Sequence, residues 1–127
     1  MRYKYQYANT VNKKIDMEKV IFKYSVCRKG SHDIVNTKPG DFFTMEIPKG
    51  AQILCVKEQA EQNEQGAMQM IGKIWALIDP AEEQKEKRIF CLVMAGQKFD
   101  DRDLEYIGTY QVDFGKIILH LFEYVGI

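Results

Sequence analysis

The sequence predicts an all-β fold, a single-domain antiparallel sandwich or a partly open barrel of seven or eight short strands, with little or no helix. Short apolar or alternating runs recur between turns rich in Gly, Pro and Asp, and no long stretch has the apolar periodicity of an amphipathic helix. The 127 residues, 46% of them hydrophobic, are enough to bury one core. We expect residues 17–127 to form this domain and residues 1–16 to be an N-terminal extension.

The extension begins with a strictly alternating run in which Tyr3, Tyr5 and Tyr7 share one face. Alternation with aromatic residues predicts a strand that is half buried on its tyrosine side. Two uses of that side remain open, because packing faces and base-stacking faces employ the same residue types. The tyrosines either pack against protein or form a stacking platform for single-stranded bases.

Charge is unevenly distributed, although the formal net charge is zero. Residues 1–29 carry eight basic and two acidic side chains, and the rest of the chain carries ten and sixteen. A basic arm on an acidic body can bind nucleic acid, or it can bind the body of a neighbouring copy. Arg28 and Lys29 close the basic segment, and together with the three tyrosines they are candidate ligand-binding residues.

The first half of the domain divides into strands and loops by alternation and turn residues. The expected elements are a strand (17–26), a loop (27–41), an alternating strand (42–47) and a short apolar strand (51–56). In the alternating strand, Phe43, Met45 and Ile47 share one face. The segment 58–70 is rich in Glu and Gln and has no apolar stripe, so we interpret it as a solvated loop.

The run IWALIDP (74–80) carries the only tryptophan and ends in Asp79-Pro80. An apolar run of this length predicts a strand at the middle of a sheet, and its pairing should stop at the proline, which has no N–H to donate. We interpret Trp75 as packing mass of the β core; in a groove it would be a ligand-contact residue, and it is therefore a candidate binding residue. The strand over 88–94 is expected to pair antiparallel with this one.

The last part of the chain predicts two more strands, over 104–112 and 116–124, joined by a tight turn at Asp-Phe-Gly. In the final strand, Ile117, Leu119 and Leu121 share one face. These two strands complete the expected set of seven or eight.

The densest acidic cluster comprises Asp100, Asp101 and Asp103, and hard cations such as Mg²⁺ and Ca²⁺ bind several carboxylate oxygens. The cluster lacks the spacing of an EF-hand loop and an arginine interrupts it, so we expect a solvated turn and retain it only as a weak candidate metal site. His32 and His120 are the only histidines, and no Cys/His cluster indicates a zinc site.

Chemistry-bearing motifs are absent from the sequence. It contains no phosphate-binding loop, no nucleophile elbow and no zinc-protease motif, so nothing indicates an enzyme or a cofactor. Three cysteines at wide spacing predict neither a disulfide framework nor a metal clip. The N-terminus lacks an apolar signal segment and no run is long enough to cross a membrane, so we expect a cytoplasmic protein without a membrane partner.

Five blocks occur in a familiar order: MEIPKGAQIL (45–54), IWALIDP (74–80), EKR (86–88), LEYIGTYQ (104–111) and HLFE (120–123). In this order the chain resembles a family of small phage and prophage proteins without an assigned function. The resemblance implies a compact intracellular protein of mobile-element origin, and it implies no chemistry. The chain departs from that family in its first 16 residues, in the long segment 27–41 and around 58–70.

Three functions are compatible with these patterns. The first is a non-catalytic interaction or assembly module that associates with itself through exposed strand edges, aromatic faces and the basic arm. The second is a phage counter-defence protein that sequesters a small nucleotide signal in a pocket of aromatic and basic residues. The third is an accessory protein that binds single-stranded nucleic acid through Tyr3, Tyr5 and Tyr7.

Overall fold

The structure, a computed structural model, describes residues 18–26, 34–36 and 41–126. In these residues the protein forms eight strands and no helix, which confirms the predicted all-β fold. The strands are β1 (Val20–Ser25), β2 (Ile34–Asn36), β3 (Asp41–Pro48), β4 (Gln52–Gln62), β5 (Met68–Ile78), β6 (Lys85–Met94), β7 (Leu104–Val112) and β8 (Ile117–Tyr124). No long apolar helix of the kind that crosses a membrane occurs within these residues.

The strands form two antiparallel sheets that pack face to face. Sheet 1 has the strand order β1-β5-β4, and sheet 2 has the order β2-β3-β6-β8-β7. The edge strands β4 and β7 run beside each other, since Gly108 has no side chain to keep Val56 away and Glu58 accepts a hydrogen bond from the backbone N–H of Gln111 at 2.9 Å. Within the described strands, β4 and β7 contact each other through side chains and do not form a ladder of backbone hydrogen bonds. The architecture is therefore a sandwich and not a closed barrel.

Alternate residues of each strand fill the space between the sheets. Phe43 and Ile47 on β3 are fully buried, as the alternation of that strand predicts. The ring of Phe43 stacks on that of Phe90 with centroids 5.4 Å apart, and Ile74 and Leu121 complete the same cluster. Burying one such side chain contributes about 1.5–3 kcal/mol, so this interior is the main source of stability.

β5 is the middle strand of sheet 1, as predicted, and it ends at Ile78 before the Asp-Pro turn. Asp79 accepts a hydrogen bond at 2.9 Å from the backbone N–H two residues on, which is the geometry of an Asx turn. The interpretation of Trp75 as core packing mass is wrong. Ile74 and Ala76 point into the core, and because successive side chains of a strand point to opposite faces, Trp75 lies half-buried on the other face of sheet 1.

The segment 58–70 is not a solvated loop but the far half of a long hairpin. β4 continues to Gln62 and β5 begins at Met68, so the turn between them is short. Asn63 organises this turn by accepting hydrogen bonds from two backbone N–H groups at 2.9 Å, and Gly66 supplies a φ of 84°. The prediction was wrong because Glu and Gln have low β-propensity, which pairing with β5 overrides.

Two further expectations are corrected by the strand pairing. β6 pairs with β3 and β8 in sheet 2, and not with the strand that carries Trp75. The segment 27–41, expected to be a loop, contains β2, which pairs with the start of β3. Periodicity identifies the residues that share a face of a strand, whereas the partner strand is chosen by packing across the whole fold.

A partly buried ion-pair cluster closes one end of the sandwich. Arg88 on β6 pairs in a bidentate manner with Glu123 on β8, its Nη2 lying 3.0 Å from Oε1 and its Nε bonding Oε2. Its Nη1 donates to the carbonyl of Ala51 at 2.8 Å and to Glu86 at 3.2 Å. The hydrogen bond to Glu123 raises the pKa of Arg88 above its ordinary value. This end is therefore held together by charge as well as by packing.

Between the two sheets, the ring of Tyr110 lies directly against Gly72. A Cβ placed on Gly72 would lie 2.5 Å from that ring, and Tyr110 itself is 3% exposed, so the ring has little room to move. The carbonyl of Gly72 accepts a hydrogen bond from the N–H of Val26 at 2.9 Å, which fixes the backbone on the other side. Glycine at this position is required by contact distance.

We expect Gly72→Ala to lower the free energy of unfolding by about 1–3 kcal/mol, because the added methyl overpacks a contact that cannot relax. Urea unfolding followed by circular dichroism measures the change. In a Tyr110→Leu background the same substitution should cost less, since the obstructing ring is gone. An equal cost in both backgrounds would contradict this explanation.

Candidate functional site

The other end of the sandwich is open and apolar. There the sheets enclose two adjoining cavities of about 360 Å³ each, which share Met70, Val112 and Ile117 and which together we call the end cleft. Its walls come mainly from β5 (Met68, Met70), β6 (Leu92, Met94), β7 (Val112) and β8 (Ile117). Cavities of this size lie within the range used for binding ligands and side chains.

Strand alternation places these side chains in the cleft. On β5, Met68 and Met70 continue the face whose middle forms the core, and on β8, Ile117 and Leu119 continue the face of Leu121. The apolar faces of β5 and β8 therefore continue past Tyr110 and Gly72, beyond the end of the packed core. The exposed fractions are 60% for Met68 and 49% for Met94, so the mouth of the cleft presents apolar surface to solvent.

The chemistry of the lining is that of a binding surface. Among the described residues that line the cleft, Asp113 is the one with a charged side chain, and Gln69 and Gln97 add neutral polar groups. A nucleophile with a base within hydrogen-bonding reach is the minimum for covalent catalysis, and these lining residues do not supply such a pair. Methionine side chains adapt to irregular apolar partners, which favours binding of apolar groups.

The hairpin between β7 and β8 carries an aromatic side chain at the rim of the cleft. Phe114 is 89% exposed, and it also lines the second cavity. Asp113, Phe114 and Gly115 have φ angles of 54°, 56° and 81°, which is the left-handed region that non-glycine residues adopt at a cost of about 1–3 kcal/mol each. The turn therefore holds a bulky ring in water on a backbone that costs free energy.

Trp75, a sequence-predicted binding residue, lies on the outer face of sheet 1. The Nζ of Lys23 lies 5.6 Å from the centroid of the Trp75 ring, within the range of a cation–π contact, and donates to Gln59 at 2.8 Å. On the same face the buried Lys73 donates to Ser25 at 2.7 Å and to Glu61 at 2.9 Å. The structure therefore combines an aromatic ring with lysine side chains, away from the end cleft.

The other sequence-predicted binding residues lie outside the described residues. These are Tyr3, Tyr5, Tyr7, Arg28 and Lys29. The predicted alternating strand of the extension lies there as well, so its role in self-association or in base stacking stays a prediction.

The candidate metal cluster forms a turn. The guanidinium and the backbone N–H of Arg102 donate to the carboxylate of Asp100, with the side-chain Nε 3.0 Å from both oxygens, and these hydrogen bonds lower the pKa of Asp100 to about 2. Asp103 takes a φ of 61°, and its carbonyl accepts the N–H of Val125 at 2.7 Å. Within the described residues, no group of three or more His, Cys, Asp or Glu side chains, Asp101 included, is arranged to hold a metal ion.

His120 takes part in a polar chain on the outer face of sheet 2. Its Nδ1 lies 2.8 Å from the hydroxyl of Thr109, which lies 2.6 Å from the hydroxyl of Tyr106. A register shift between Tyr106 and Gly108 turns Tyr106 and Thr109 toward the same face. These three side chains lie on an exposed sheet surface, and none of them lines either cavity of the end cleft.

The end cleft was not among the sites predicted from the sequence. The signal that indicates it is the extra length of two apolar faces, Met68 and Met70 on one strand and Ile117 and Leu119 on another. Each pair looks like ordinary core alternation when its strand is read alone. Their convergence depends on which strands face each other, and periodicity does not determine that.

Comparison with protein families assigns the chain to a family whose function is unknown. A family model described as a domain of unknown function, DUF7352, matches residues 17–126, so the chain belongs to this family. Comparison with curated proteins gave no match, and comparison with solved structures gave none.

We expect Arg102→Gln to raise the pKa of Asp100 from about 2 toward its ordinary value of 3.8, because the side-chain hydrogen bonds that favour the carboxylate are lost. Since the folded-state pKa is depressed, this contact stabilises the fold above the ordinary value, and its contribution is lost as the pH falls toward 2. Carboxyl-carbon NMR titration measures the pKa. Lys98→Gln removes an equal charge nearby and serves as the control, and a wild-type midpoint near 3.8 would contradict the contact.

Proposed function

We propose that this DUF7352 protein is a non-catalytic interaction module that associates with copies of itself. The observation that supports the proposal most strongly is the apolar mouth of the end cleft, where Met68, Met94 and Phe114 are exposed together around one cavity system. Contiguous exposed apolar surface of this kind marks sites of association in soluble proteins. Self-association is the simplest choice of partner because each copy presents both the cleft and the exposed ring.

The charge distribution supports the same proposal. The predicted N-terminal extension, residues 1–16, carries four basic side chains and one acidic one, and the remainder carries fourteen and seventeen, so the extension of one copy is complementary to the body of another. Electrostatic attraction of this kind accelerates encounter, whereas burial of apolar surface keeps the complex together. The two features therefore act at different stages of one association.

A cytoplasmic location and an origin in a phage or prophage belong to the proposal as well. The order of the five sequence blocks supports both, since the family that the chain resembles implies an intracellular protein of mobile-element origin.

We expect the full chain to run as a dimer or larger oligomer in size-exclusion chromatography with light scattering, and to dissociate on dilution. A chain that starts at Met17 lacks four of the eight basic residues found in residues 1–29. It should dissociate at a higher concentration than the full chain, and the difference should be larger in low salt. Monomers of both chains at all concentrations would show that the proposal is wrong.

A second candidate function is the binding of bases, in a small nucleotide or a single strand, on the outer face of sheet 1. The contact of Lys23 with the Trp75 ring favours it, because aromatic stacking and a nearby cation are the two elements of sequence-independent base binding. The candidate residues Tyr3, Tyr5 and Tyr7 supply further rings in the sequence.

For this candidate we expect an oligothymidylate to quench the fluorescence of Trp75, the only tryptophan of the chain. Filter binding should show an affinity that falls about tenfold or more between low and physiological salt, and Trp75→Leu should weaken it. Phe22→Ala removes an exposed ring of the same sheet and is the control. No binding of oligothymidylate or of a mononucleotide at low salt would remove this candidate.

A further inference from the structure

The tip of the β7–β8 hairpin combines an exposed ring with two opposite charges. Phe114 projects into solvent, and Asp113 and Lys116 stand on either side of it, both exposed. The hydrogen bonds that shape the tip are made by the backbone, from Gly115 N–H to the Val112 carbonyl at 3.2 Å and from Lys116 N–H to the Asp113 carbonyl at 3.0 Å. No described contact of the tip ties the Phe114 ring down, so the ring is presented outward.

This pattern is complementary to itself. In a contact between two copies related by a two-fold axis, each pair of residues meets twice. If residue i of one copy contacts residue j of the other, then residue j of the first copy contacts residue i of the second. Two hairpin tips brought together in this way place Asp113 of each copy opposite Lys116 of the other. The same approach directs each Phe114 toward the cleft of the opposite copy, whose described lining carries no charge other than Asp113.

The left-handed backbone of the tip also fits this use. Asp113 and Phe114 hold φ angles of 54° and 56°, so the backbone sets the direction in which the Phe114 side chain leaves the turn before any partner arrives. An anchor that is already in its bound orientation loses less conformational freedom on association. Aromatic side chains, phenylalanine among them, are enriched in the cores of protein interfaces.

We infer that the occupant of the end cleft is Phe114 of a second copy, inserted reciprocally in a two-fold dimer and flanked by ion pairs between Asp113 and Lys116 of opposite copies. This inference rests on the proposed self-association and specifies its geometry. A small apolar ligand would account for the cleft, but it leaves the exposed ring and its flanking charges without a role.

The first experiment compares two exposed phenylalanines by analytical ultracentrifugation. Phe114→Ala should raise the dissociation constant of the dimer by about tenfold or more. Phe22→Ala should leave it unchanged, because Phe22 on β1 pairs with Ala76, near the end of β5 that is far from the cleft. Met68→Glu, at a position 60% exposed, places a charge at the mouth of the cleft and should have the same effect as the loss of the ring. Thermal unfolding of each variant checks that it is folded.

The second experiment tests the ion pairs by exchange of charge. Asp113→Lys alone and Lys116→Asp alone should each weaken the dimer, since each brings like charges together across the two-fold axis. An equimolar mixture of the two variants should form a heterodimer, because every introduced charge then meets an opposite one. An effect confined to the hairpin of a single chain does not produce this rescue in the mixture.

The outcomes separate the inference from the function on which it rests. A wild-type chain that is monomeric throughout overturns both, and a fluorescent apolar dye that binds this monomer, but not the Met68→Glu variant, would assign the cleft to a small ligand. A Phe114→Ala variant that dimerises like the wild type overturns the inference and leaves self-association standing. Failure of the mixed charge variants to associate overturns the two-fold arrangement.

Discussion

The contact between the ring of Tyr110 and the bare backbone of Gly72 is the constraint on which the rest of the structure depends. It sets the separation of the two sheets at the middle of the sandwich, since a side chain on Gly72 would collide with the ring. On one side of this contact the core of Ile74, Phe90 and Leu121 is fully packed. On the other side the described side chains leave the space between the continuing strands unfilled, and the end cleft begins. Core and cleft are thus two parts of one interface, divided at a single residue pair.

The two ends of the sandwich differ in their chemistry. At one end Arg88 and Glu123 form a partly buried pair that satisfies its charges within the fold, and the carbonyl of Ala51 adds an acceptor. At the other end the walls are apolar and Asp113 is the one charged side chain among the described lining residues. Charged groups need specific partners to be buried, whereas apolar walls accept any surface of fitting shape. The proposed self-association therefore uses the open end.

Much of the fold is predictable from the sequence, because strand alternation carries the information. The inward faces of Phe43 with Ile47 and of Leu121 follow from it directly. Features that depend on the partner strand are not predictable in this way. The hairpin beyond Glu58 is missed because its residues have low β-propensity. The outward position of Trp75 is missed because an uninterrupted apolar run does not show which of its side chains point outward. The site is harder still. Phe114 reads as one residue of a tight turn, and only its backbone angles and its exposure beside the cleft distinguish it.

The methionines at the mouth of the end cleft give this surface a chemical vulnerability that the core lacks. A thioether oxidises to a sulfoxide, which is polar and chiral, and reductases reverse the change. Met68 and Met94 are 60% and 49% exposed, whereas the core cluster between the sheets contains no exposed sulfur among its described members. Oxidant in solution therefore reaches the rim of the cleft first. Redox conditions would alter the apolar character of this end of the molecule while the packed interior of the sandwich remains intact.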